Sequence, residues 1–105
     1  MHTRKEVAQF SELKESLQKC QHPSEHLPDT LKALWYDANG DWISAHYIAQ
    51  NISGADGSWV HAYLHRKEGD LTNARYWYRQ ANRPEPKESL HEEWETISKS
   101  ILSRG

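Results

Sequence analysis

Two Gly-Asp pairs, Gly40-Asp41 and Gly69-Asp70, stand 29 positions apart and set the register of the middle of this chain. Glycine tolerates the left-handed backbone that ends a helix. The aspartate carboxylate can accept from the free N–H groups at the start of the next one. Each pair therefore predicts a helix, a tight turn and a second helix. At that offset Leu31 falls on Val60, Leu34-Trp35 on Tyr63-Leu64, Ala45 on Ala74 and Ile48 on Trp77. A small Ala early in each second helix lets two helix backbones approach closely. Such a hairpin cannot bury its apolar face alone and must stack on a neighbour.

The flanks also read as helices. Val7, Phe10, Leu13 and Leu17 recur at spacings of three and four, which predicts one apolar stripe over about 3–20. Pro28 and Asp29 suit a first helical turn. Asn39-Gly40 is a stop, SGADGS (53–58) is a loop by composition, and Asp56 or Ser58 is the expected cap of the helix after it. Pro84 and Pro86 break the chain. Ser89 and Glu92 have capping-box spacing ahead of Leu90, Trp94, Ile97 and Ile101. The expectation is an all-α single domain over 1–105 with about six helices. Its two repeat units span about 27–53 and 56–83, and the flanking helices span about 3–20 and 87–103. The flanking helices should cover the repeat ends.

Composition excludes several classes. At 105 residues folding buries roughly 60–70% of the unfolded chain's surface, enough for one core. Apolar residues are only 36%, but five Trp, five Tyr and one Phe make that core aromatic, which a disordered chain would lack. No apolar run approaches the ~18 residues of a membrane span. The opening MHTRKEVAQF does not read as a secretory signal. Cys20 stands alone, so no internal disulfide or thiolate zinc site is expected, and a reducing, cytoplasmic location fits. Thirteen basic against fifteen acidic residues argue against bulk electrostatic binding of nucleic acid.

The segment WVHAYLHRKEGDLTNARYWYRQANRPEP (59–86) resembles a tetratricopeptide repeat. It has an aromatic early in its first helix, the Gly-Asp turn, the small–aromatic–small series Ala74, Tyr78 and Ala81, and a closing Pro. Leu27 to Ile52 resembles a second copy, with Ala49 in place of the family's aromatic and Ile52 in place of its later Ala. The same half is similar to small uncharacterised proteins with LHRKEGDLTNARYWYR-like strings, which imply no activity. The tetratricopeptide resemblance implies a module that binds a protein or peptide, with Trp59, Tyr63 and Arg66 lining the concave groove. The first copy offers Thr30, Leu31, Leu34 and Asp37 at the matching positions, which is not a carboxylate clamp.

Three further sets of residues invite a chemical reading. His61, His65 and Glu68 fall at i, i+4 and i+7, on one helix face, a spacing that can hold a divalent metal, with His46 of the preceding helix, or Asp41 and Asp70 at the turns, completing a shell. The first expectation for these histidines is structural: partly buried rings hydrogen-bonded to Asp, Asn or Tyr, with no cofactor. Arg75, Arg79 and Arg83 form a basic ridge beside Tyr76, which could stack bases of single-stranded nucleic acid. Intramolecular pairing with Glu85, Glu88, Glu92, Glu93 and Glu95 is the first expectation there. Cys20 with His22 and His26 reads as an ordinary surface thiol, and no catalytic residue is expected. A peptide-binding module thus leads, a metal-dependent enzyme or small-molecule binder is the alternative, and nucleic-acid contact is the weakest. An aromatic-rich domain this small is also compatible with a homodimer.

Overall fold

The computed structural model describes residues 4–104, apart from the side chains of Arg4, Glu6 and Val7. Val7 of the first stripe, and Thr3 at the expected boundary, therefore fall outside the described residues. Within that range the chain forms α1 (Arg4–Lys19), α2 (Asp29–Ala38), α3 (Trp42–Gln50), α4 (Ala55–Glu68), α5 (Leu71–Gln80) and α6 (Leu90–Arg104), and no strand.

The two Gly-Asp pairs build the same turn. Gly40 and Gly69 have φ of 84° and 89°, the left-handed region. Asp41 N–H donates to Tyr36 O at 2.9 Å and Gly40 N–H to Asp37 O at 3.0 Å; Asp70 N–H donates to His65 O at 3.0 Å and Gly69 N–H to Arg66 O at 3.1 Å. This paired closure satisfies the last carbonyls of α2 and α4. The aspartates then cap α3 and α5: Asp41 Oδ1 accepts from Ser44 N–H at 3.0 Å and Asp70 Oδ1 from Asn73 N–H at 3.2 Å. The capping box of α6 forms as its spacing predicts, with Glu92 N–H donating to Ser89 Oγ and Ser89 N–H to Glu92 Oε1.

The start of α4 differs from expectation. It begins at Ala55 behind Gly54, before Asp56 and Ser58 could cap it. Asp56 instead pairs with Arg104 of α6. Gly57 allows the early start, because a Cβ there would meet the Ile52 carbonyl oxygen at 2.5 Å and Ile52 Cβ at 2.8 Å.

The core lies between α2, α4 and α6, where Leu31, Leu34, Trp35, Val60, Leu64 and Ile97 are fully buried. Ala45 and Ala49 of α3, Ala74 of α5 and Ala81 at the C-cap of α5 are the small buried residues at the hairpin seams. Four indoles contribute directed bonds as well as area. Trp35 Nε1 donates to Ser16 Oγ of α1 at 3.0 Å, Trp42 Nε1 to Leu64 O at 2.8 Å, Trp94 Nε1 to Leu34 O at 2.9 Å, and Trp59 Nε1 to Glu93 Oε2 at 3.3 Å. Burying one such ring removes roughly 150–250 Å² from water, worth about 4–6 kcal/mol of transfer free energy. That is how a chain with few aliphatics keeps a core. α1 runs antiparallel along α6: the Phe10 ring lies 6.3 Å from that of Trp94 and 4.9 Å below Lys99 Nζ, and Lys14 pairs with Glu95 at 3.3 Å.

Candidate metal centre

The i, i+4 spacing of His61 and His65 places both rings on one face of α4, as the sequence predicts. That face packs on α3, and α3 contributes His46. One ring nitrogen of each of the three histidines lies within 4.8 Å of the others. His46 Nε2 and His61 Nε2 are 3.0 Å apart, and the three ring centroids are separated by 4.7 to 5.0 Å. Two tryptophans hold the cluster from either side. The Trp42 indole stacks on His46 at 4.8 Å and 12°, one helical turn away, and the Trp77 indole of α5 stacks on His61 at 4.1 Å and 19°.

This setting disfavours the protonated rings. Burial, then the charges of His46 and His65, pull the His61 imidazole down to about 4. His46 is also lowered, first by burial and then by His65, while Glu68 opposes the shift. Both rings are therefore neutral at pH 7, and their two Nε2 atoms share one hydrogen bond in which one ring donates and the other accepts. A neutral imidazole is also the form that binds a metal.

Glu68 has a different place from the one its spacing predicts. Its Oε1 lies 2.7 Å from His65 Nδ1. With Nδ1–H donating to that carboxylate, the lone pair of His65 resides on Nε2. A carboxylate behind a histidine fixes tautomer and orientation at metal sites. Glu68 thus orients His65, and the potential ligand atoms fall into two groups that share His65: His46, His61 and His65, and His65 with the Glu68 and Asp70 carboxylates. The Gly-Asp turn contributes through Asp70, whose N–H ties the His65 carbonyl. Asp41, the other turn residue considered as a ligand, is engaged instead by the N–H and hydroxyl of Ser44.

The donor set fits a divalent transition metal. Zn–N bonds of ~2.0–2.1 Å in a tetrahedral shell put nitrogens about 3.3 Å apart. The His46–His61 pair already sits near that spacing, and the other gaps need close by at most about 1.5 Å.

The other sequence candidates are brought elsewhere. Trp59 and Tyr63 are both buried, and Tyr63 forms part of the wall of a hollow of about 420 Å³ between Lys14, Leu17, Asp37, Lys67 and Trp94. Tyr63 OH donates to Asp37 Oδ2 at 2.8 Å, and Lys67 Nζ reaches Asp37 Oδ1 at 2.8 Å. Arg66 is turned inward, donating to Glu93 Oε1 at 2.8 Å and to the Glu88 carbonyl. The physical reason is that α4 is apolar on nearly every face and sits centrally, so its long side chains meet carboxylates of α2 and α6. The expected ridge divides. Arg75 pairs with Glu85, the Arg83 guanidinium lies 3.4 Å over the Trp59 ring, and Arg79 is exposed. Cys20 is exposed, in keeping with an ordinary surface thiol.

Two buried carboxylates escaped sequence reasoning. Glu93 accepts from Arg66, Trp59 and Tyr78 OH, the last at 2.7 and 2.8 Å; Asp37 accepts from Tyr63 and Lys67. Burial, and then the neighbouring carboxylate, push Tyr63 and Tyr78 well above the usual phenol range. Glu93 stands on the Leu90–Trp94–Ile97–Ile101 face of α6, and that phase is the one signal in the sequence that it points inward.

No protein family, no curated protein and no solved structure matches this chain. No described helix is long and apolar enough to cross a membrane.

Proposed function

We propose that this chain is a metal-binding helical domain that holds one divalent transition metal on His46, His61 and His65. The observation that carries this reading is the convergence of three imidazole nitrogens within 4.8 Å, backed by Glu68 behind His65. Borderline imidazole donors suit zinc, copper, nickel or iron rather than calcium or magnesium. The test is a native mass spectrum after incubation with zinc. One bound ion per chain, absent in His65→Ala while the helical circular-dichroism signal persists, is the expected result. A metal-free mass in the presence of excess zinc overturns the reading.

A second reading, a protein- or peptide-binding helical-repeat module, rests on a different surface from the one the resemblance implied. Ile43 is 79% and Tyr47 65% exposed, one turn apart on α3. With Tyr36, Ser44 and Ile48 they line a shallow hollow of about 330 Å³. Large apolar side chains presented together in this way support an interaction site. Capture of a partner by the intact domain and its loss in Ile43→Asp tests this reading.

A further inference from the structure

Resting on the metal reading above, we propose that the ion at His46, His61 and His65 keeps one coordination position for an exchangeable small ligand, water or a monodentate anion. The centre is then of the reactive kind rather than a closed structural one.

Three features carry this. The first is the donor count. Among the described residues the cluster gathers three nitrogen donors, whereas structural zinc sites close with four protein ligands. Glu68 and Asp70 lie with His65 in a second group of potential ligand atoms, but the Glu68 carboxylate is engaged by His65 Nδ1 at 2.7 Å. Asp70 is occupied at the cap of α5.

The second is placement. His61 and His65 are buried, but His46, Trp42 and Trp77 are each only half-buried. The cluster therefore lies at the solvent edge of the α3–α4–α5 seam. The two indoles stack on the faces of His46 and His61, and His46 is the ring of the three that solvent reaches.

The third is that the surrounding fold stands without an ion. The seam between α3 and α4 is closed by the Trp42 indole bond to Leu64 O and by the buried Ala45 and Ala49. Both turns are closed by their own backbone bonds. A metal that is not needed to hold helices together is free to exchange its fourth ligand. A small anion suits the position because imidazole ligands, unlike thiolates or carboxylates, bring no negative charge to the ion.

The experiment uses the intact protein loaded with cobalt(II), whose visible spectrum reports coordination. Azide is the probe anion, and size-exclusion chromatography is run alongside. The expected result is one cobalt per chain, a monomer on the column, and a saturable change in the visible bands as azide is added. Cobalt that binds with bands indifferent to azide overturns this inference and leaves the metal-binding reading intact. A cobalt-dependent dimer indifferent to azide also overturns it, since the fourth donor then comes from a second copy. No cobalt and no zinc bound removes both readings. The His46→Ala protein separates position from chemistry. It should lose tight cobalt binding, and azide should then leave no trace in the spectrum.

Discussion

Glu93 is the residue whose alteration should cost the fold most per atom changed. Replacing it by Gln keeps its volume and one acceptor oxygen but removes the charge and turns a donor NH2 toward other donors. In the native protein the carboxylate is 1% exposed and receives Arg66 Nη1, Trp59 Nε1 and the Tyr78 hydroxyl. Removing one partner of a buried ion pair costs ~3–5 kcal/mol, because the remaining charge stays desolvated. Arg66 is 21% exposed and keeps its bond to the Glu88 carbonyl, so part of that penalty is relieved. The expected loss for Glu93→Gln is about 2–4 kcal/mol. At ~4–8 °C per kcal/mol for a domain near this size, Tm should fall by roughly 8–32 °C. Urea denaturation followed by tryptophan emission measures it, since Trp59 reports on the site directly. Glu95→Gln is the matched control: its pair with Lys14 is half-exposed, and such pairs contribute ~0–1 kcal/mol. A Glu93→Gln protein as stable as Glu95→Gln would refute the reasoning. So would a Glu93→Met/Arg66→Met double variant less stable than either single one, because replacing both charges together should recover part of the loss.

The geometry sets four other outcomes. Glu68→Gln should weaken zinc binding ~10–100-fold without changing stoichiometry, read by competition with a chelating dye. His61 is held at about 4 against its ordinary 6.5, so the unfolded chain takes up more protons between those values. Stability is therefore complete above 6.5 and falls as pH drops toward 4, by on the order of 3 kcal/mol, and chemical denaturation at pH 7 and pH 4.5 should show that sign. Gly57→Ala should destabilise although Ala favours helices by ~1 kcal/mol, because its Cβ would press on the Ile52 carbonyl; a raised Tm would contradict the close approach. Removal of residues 86–105 should expose Leu34, Trp59 and the Arg66 guanidinium, and a soluble fragment with a cooperative transition would show that α6 is dispensable.

The helices and their turns are legible in the sequence because they are written in local chemistry. Gly40-Asp41, Gly69-Asp70 and the Ser89–Glu92 box each act within a few residues of themselves. The histidine cluster is legible in part. His61 and His65 share a face by helical arithmetic, and His46 sits on the adjoining helix of the hairpin. Which partner a long side chain meets across the fold cannot be read in this way. Arg66 finds Glu93 at a separation of 27 residues and Lys67 finds Asp37 at 30. Nothing in the neighbourhood of either residue in the sequence encodes that encounter. The sequence is compatible with Trp59 and Tyr63 on a groove because α4 has aromatics on several faces, and its periodicity does not choose among them. Only the arrival of α2 and α6 on opposite sides makes that choice.

The indole bonds that join α1 to α2, α3 to α4, α4 to α6 and α2 to α6 bear on how such a sequence can change over time. An aliphatic core tolerates exchange among Leu, Ile and Met, since volume is all that must be kept. Here each of those rings also delivers a proton to a fixed acceptor on another helix. A step from Trp to Phe would leave Leu64 O, Leu34 O or Ser16 Oγ without its donor as well as opening a gap. Divergence in this lineage should therefore run through the solvent-facing positions, while the tryptophans stay fixed in number and place long after the surrounding residues have lost any common signature.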